Sequence, residues 1–131
     1  MLEGILDAKI MKRMVTKLVA EALRKAEAEV RSREEIDKRN ACDKAFLAVI
    51  KAVDEFLGRR GYPVPRDHRE RFRFLRELEE RDPRVREMGI VDRLGARFHL
   101  AHELCFYGGE VEFAEDEVEK AKKLVEDLDR L

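Results

Sequence analysis

In the first quarter of this chain, apolar side chains recur at Met11, Met14, Val15, Leu18, Val19, Ala22, Leu23, Ala26 and Val30, every three or four residues. A stripe with that period runs along one side of an α-helix, while charged residues cover the other side. From Ile5 to Val30 it predicts a rod of roughly 40 Å at 1.5 Å per residue. An amphipathic rod of that length is stable only if other elements cover its apolar side. With 131 residues, the chain has enough length for one domain and one core.

Composition restricts what those other elements are. Charged residues make up 44% of the chain and apolar residues another 44%; Ser, Thr and Asn occur once each and Gln is missing. So large an apolar share argues against a disordered linker. Few β-branched residues, aromatics at 7% and no hairpin dipeptides argue against an all-β fold. Ala, Glu, Lys, Leu and Arg dominate, as they do in long helices.

Ser32 with Glu35 three residues on has the form of a capping box and predicts the start of a second helix, running to about Leu57. Its centre, Ala45 to Ile50, is apolar almost all round, which predicts a helix lying between others. The run from Gly58 to Pro65 holds two glycines and two prolines and breaks it. Asp67 with Glu70 predicts a short basic third helix to about Glu80. Asp82-Pro83 is an N-cap followed by proline at the first helical position, and it predicts a fourth helix ending at Gly108-Gly109. A last helix is expected from about Ala114 to Leu128. The expected fold is all-α: a single-domain antiparallel bundle over residues 1–131, with four long helices and one short.

Residues 59–97 carry a net charge of +4 with only arginine as the base, whereas residues 98–131 carry −6. Arginine's planar fork suits phosphate. The plainer expectation is that the basic middle and acidic tail pair within the fold, since nucleic-acid binders are usually basic overall. No apolar run approaches the roughly 18 residues a bilayer requires. Charges at Glu3, Asp7, Lys9, Lys12 and Arg13 exclude a signal peptide at the N-terminus. Cys42 and Cys105 each sit in an apolar helical pattern and are expected to be small buried hydrophobes rather than a disulfide. A soluble, cytoplasmic protein is expected, and scarce amides with abundant Arg and Glu hint at a thermophile.

Unusual side chains concentrate between Arg93 and Gly108. His99, His102 and Glu103 share a helix face, with His68 as a distant fourth donor, but no second Glu-x-x-His accompanies them. A solvated His–Glu face is therefore expected instead of a metal site, and no cofactor is expected. With one Ser, one Thr and two buried cysteines, nucleophilic catalysis has no candidate. An arginine with a histidine suits metal-free RNA cleavage, the histidine taking a 2′-hydroxyl proton and the arginine stabilising charge on phosphorus. The candidates are Arg97 with His102 and, in a second register, Arg93 with His99. On an α-helix, residues five apart diverge by about 140°. Val91, Gly95, Phe98, His102 and Cys105 form a seam on which His102 reads more simply as a packing residue. Gly95 there would admit a second helix, from this chain or another subunit. Tyr107 reads as a cap for the helix end.

Ala41-Cys42-Asp43-Lys44-Ala45-Phe46-Leu47-Ala48-Val49-Ile50-Lys51-Ala52-Val53 resembles the core helix of the HEPN superfamily, in particular its archaeal PaREP branch. Ala101-His102-Glu103-Leu104-Cys105-Phe106-Tyr107-Gly108, followed by an acidic helix, is similar to that family's His-x-x-x-Phe-Tyr ending. The resemblance implies a helical bundle that homodimerises and binds nucleotide or RNA. It also implies either a metal-independent endoribonuclease with an Arg-x4-His pair, here Arg97 and His102, or a silent partner of a nucleotidyltransferase. Phe98 follows Arg97 where active relatives carry a polar residue, which favours a binding module without turnover.

Overall fold

The computed structural model describes the backbone of residues 2–131 and the side chains of Ile10 and residues 12–131. The expectations for Ile5, for Met11 and for the charges at Glu3, Asp7 and Lys9 lie outside the described side chains. The described residues are helical without any strand. Helix α1 spans Leu2–Val30, α2 Glu35–Arg59, α3 His68–Arg81, α4 Pro83–Met88, α5 Ile90–Arg97 and α6 Ala114–Arg130. Between α5 and α6 lie a π-helix, Phe98–Tyr107, and a 3-10 turn, Val111–Phe113.

Helix α2 forms the centre, packed against α1, α6 and the π-helix. Ala41, Cys42, Ala45, Val49, Val53, Phe56 and Leu57 are all completely buried. Each large apolar side chain so placed contributes about 1.5–3 kcal/mol. The expected all-round burial holds except at Leu47, which is exposed. On α1 the stripe is covered only in part. Val19, Leu23, Ala26 and Val30 are buried, but Ile10, Met14 and Leu18 are exposed.

Helix ends follow local chemistry. Asp67 Oδ1 accepts from the Glu70 amide at 2.8 Å, starting α3, and Asp82 Oδ1 accepts from the Arg84 amide at 3.0 Å, starting α4 with Pro83 in its first turn. The expected capping box at Ser32 does not form. Ser32 Oγ accepts from the Glu34 amide and donates to Asp37 at 2.6 Å, so α2 starts after an uncapped Glu34.

The expected fourth helix is broken twice. Gly89 adopts φ +64°, a left-handed conformation that interrupts the ladder between α4 and α5. Beyond Arg97 the winding loosens to i→i+5 hydrogen bonds over ten residues. Single π turns are the usual occurrence, often at functional sites, so two consecutive turns are uncommon.

Cys42 and Cys105 are joined as a disulfide, with Cα atoms 6.2 Å apart, which corrects the expectation of two separate thiols. Both are completely buried, as their apolar surroundings indicated. Sixty-three residues separate them in sequence, and only the packing of the π-helix on α2 brings them within bonding distance. No helix among the described residues is long and apolar enough to cross a membrane.

Candidate nucleic-acid interface

The π-helix presents Phe98, His102, Phe106 and Tyr107 on the side that faces α2. In a π turn, residues four and five apart stack above one another, so ring follows ring along this side. His102 lies over Phe46 of α2 at 4.8 Å with 23° between planes, and parallel to Phe106 at 6.2 Å and 15°. Phe98 and Tyr107 meet it edge-on at 5.5 and 5.0 Å. Four aromatic rings thus surround the imidazole, and packing sets its orientation.

The two ring nitrogens of His102 have different surroundings. Nδ1 is buried, makes no hydrogen bond and lies 3.6 Å from the Asp43 carboxylate. That is too long for a hydrogen bond but within ion-pairing range. Nε2 is the nitrogen left open to solvent, on a ring whose side chain is 24% exposed. A carboxylate beside Nδ1 favours the tautomer with its proton there, which leaves a lone pair on Nε2.

His68, at the start of α3, packs on the same two phenylalanines, 6.0 Å from Phe46 and edge-on to Phe98 at 4.8 Å. Its Nδ1 accepts from Arg71 Nη1 at 2.8 Å. Since arginine only donates, the proton of neutral His68 resides on Nε2. Arg71 is buried and is itself held by two bonds to Asp54, at 2.6 and 2.8 Å. Burial pushes the His68 pKa below the usual 6.5, and the charges of Arg71 and His102 push the same way against Asp54 and Asp67.

Arg39 of α2 closes the patch at its far end. Its guanidinium donates to the carbonyl oxygens of Phe106 and Tyr107, at 2.7 and 3.0 Å, where the π-helix leaves acceptors unpaired. Tyr107 itself projects into solvent, 66% exposed. It is therefore an exposed ring at the helix end, where the sequence suggested a cap. On the solvent side of α3, Arg69, Arg73 and Arg76 follow one another at helical spacing, beginning one residue after His68.

The sequence-expected pairs are distributed differently. Arg97 turns to α6, where Nε and Nη2 meet the two Glu117 oxygens at 2.9 and 3.1 Å in a buried fork. Burial pushes the Glu117 carboxyl above its usual pKa, against the pull of Arg97. His102 turns to α2 instead, so Arg97 and His102 serve different neighbours. Arg93 pairs with Asp127 at 2.9 Å, while His99 lies 3.6 Å from the exposed Glu103. The expected pairing of basic middle with acidic tail is seen at Arg93–Asp127 and Arg97–Glu117. His99, His102 and Glu103 do not converge, and no cluster of three donors suited to a metal occurs among the described residues. Gly95 has nothing within 4 Å of where its Cβ would be, so no helix among the described residues uses the approach it offers.

Asp43, Phe46 and the coupling to His68 escaped the sequence reading. The four-residue spacing of Phe98, His102 and Phe106 was a visible signal for part of the patch. Nothing in the sequence linked Asp43 to a histidine 59 positions later. No family model matches the chain, and neither the curated proteins nor the solved structures contain a significant match.

Proposed function

We propose that this protein is a HEPN-like helical bundle that binds single-stranded RNA through the surface shared by the π-helix, α2 and the start of α3. The observation that carries this reading is the ring patch of Phe98, His102, Phe106 and Tyr107, ending in an exposed tyrosine, together with the exposed arginines Arg69, Arg73 and Arg76 of α3, the helix whose first residue, His68, packs on Phe98. Sequence-tolerant binding of single strands combines those two parts, aromatic faces for bases and cations for phosphates. Arginine suits the second task because its fork engages phosphate oxygens in pairs. The uneven charge along the chain agrees with this: the arginine-rich middle supplies both the internal pairs and the exposed row on α3.

An endoribonuclease built on Arg97 and His102 would first have to free the Arg97 side chain from Glu117. The buried fork therefore favours binding over that form of turnover. The test is titration of a labelled single-stranded oligonucleotide with wild type and Tyr107→Ala. Stacking is worth about 1–3 kcal/mol per base, so the variant should bind roughly 10- to 100-fold more weakly while melting at the wild-type temperature. Equal affinity of the two proteins, or no binding by either, would remove this reading.

A further inference from the structure

We propose that the exposed apolar stripe of α1 in one copy of this chain seats in the groove between α1, α2 and α6 of a second copy, so that copies associate head to tail. None of the residues lining that groove belongs to the ring patch, and the inference stands apart from the RNA-binding reading.

Ile10, Met14 and Leu18 follow one another four residues apart on α1 and are 51%, 61% and 49% exposed. Anchors at that spacing are what a helix offers when it lies in the groove of a partner. The exposed charged side chains described between Ile10 and Lys25 are all basic: Lys12, Arg13, Lys17, Arg24 and Lys25. The stripe is therefore the apolar side of a cationic helix.

The groove has the complementary character. Val15, Val19, Leu23, Ala52, Val125 and Leu128 line a cavity of about 220 Å³ between the three helices. Charges on its α2 side are already matched within the chain. Glu55 pairs with Arg59 at 3.0 Å, and Arg59 Nη2 donates to the Leu128 carbonyl at 3.2 Å. Glu126 and Asp129, which line the groove from α6, are exposed and have no ion-pair partner among the described residues. Apolar walls beside unmatched carboxylates suit a helix with an apolar stripe and cations next to it. The lengths agree too: from Ile10 to Leu18, and from Val15 to Leu23, α1 rises about 12 Å.

A second copy of this chain supplies that helix and needs no other partner. Thr16 and Ala20, which line the groove, lie about 120–160° round α1 from Met14. The stripe and the groove are thus different surfaces of one molecule. Each contact joins unlike surfaces and leaves one stripe and one groove free, so further copies add until a ring closes. This differs from the two-fold pairing of a homodimer, which buries the same patch on both copies.

The test is the mass of the full chain by sedimentation equilibrium over a concentration series. Wild type should associate, and less so as salt is raised. Met14→Glu with Leu18→Glu spoils the stripe, whereas Thr16→Arg with Ala20→Arg obstructs the groove; all four positions are exposed, and each double variant should be monomeric. Mixed together, they should form a complex of two chains, because one retains the groove and the other the stripe. Leu18→Ala should weaken wild-type association about 10-fold or more, the equivalent of burying one leucine. Glu126→Lys with Asp129→Lys should weaken it as well, and these milder variants decide the matter if a double variant unfolds. Wild type that stays monomeric at every concentration would overturn the inference and leave the groove to an unlike partner. Association that survives in the stripe or groove variants would overturn it too, as would a mixture that stays monomeric.

Discussion

Arg97 and Glu117 meet as a two-point fork, Nε to Oε1 at 2.9 Å and Nη2 to Oε2 at 3.1 Å, with both side chains almost wholly removed from solvent. The pair joins the end of α5 to the first turns of α6. Arg97 is directed to α6: the hydrogen bonds it donates from Nε and Nη2 both go to Glu117.

Removing one partner leaves the other charged and buried, which typically costs about 3–5 kcal/mol. Arg97→Ala should therefore lower stability by about that amount in urea unfolding. The double variant Arg97→Met, Glu117→Leu should recover most of the loss, since no orphan charge remains. Equal losses that simply add would show that the two side chains do not interact in solution.

The Cys42–Cys105 disulfide closes a loop of 63 residues and ties the π-helix to α2 next to Asp43. Chain-entropy scaling gives such a loop about 4 kcal/mol of stabilisation. Thiol titration of the unfolded, unreduced protein should find no free thiol. Reduction, or Cys42→Ala with Cys105→Ala, should lower the melting temperature by many degrees. Disulfides persist in oxidising compartments and in the intracellular proteins of hyperthermophiles.

Stability should also fall on mild acidification because of His68. Its folded pKa lies below 6.5, first through burial and then through Arg71 and His102. The unfolded chain accordingly binds more protons than the folded one once the pH drops below about 6.5, and stability declines with it. Above that value both states are neutral at this site and the contribution vanishes. The urea midpoint of wild type should be lower at pH 5.5 than at pH 7.5, and His68→Gln should flatten the difference. A flat wild-type profile over this window would contradict the environment assigned to His68.

The arginine row on α3 makes a prediction about salt. Each phosphate neutralised on a single strand contributes about 0.7 to the slope of log affinity against log salt. Arg69→Ser, Arg73→Ser and Arg76→Ser together should reduce that slope by about 2 and weaken binding without regard to sequence. Being exposed, these substitutions should change stability by no more than about 0.5 kcal/mol each. An unchanged slope would place the phosphates elsewhere.

Much of the helical order was legible because it depends on local chemistry. The proline after Asp82 and the carboxylate of Asp67 set two helix starts using atoms only a few residues apart. Period-3.6 patterning marked α6, whose buried residues Val118, Ala121, Leu124 and Leu128 are among those the spacing selects, and the apolar centre of α2 marked it as a helix between others. The same reasoning failed at Ser32, where a side chain five residues on, Asp37, competed successfully for the hydroxyl.

From the sequence alone, then, follow the all-helical class, the central place of α2 and the concentration of unusual side chains between Arg93 and Gly108. Each rests on periodicity or on contacts within a turn or two. Tertiary structure decided which side chains meet: Cys42 with Cys105, Arg97 with Glu117, and His102 with Asp43 and Phe46. A helical pattern specifies which residues share a face, but not which neighbour that face meets. The winding of residues 98–107 widens from α to π, and so the 140° between Arg97 and His102 on an ideal α-helix is not the angle this chain adopts. Side-chain chemistry was readable residue by residue, whereas its pairing depended on how the helices pack across separations of 20 to 63 residues.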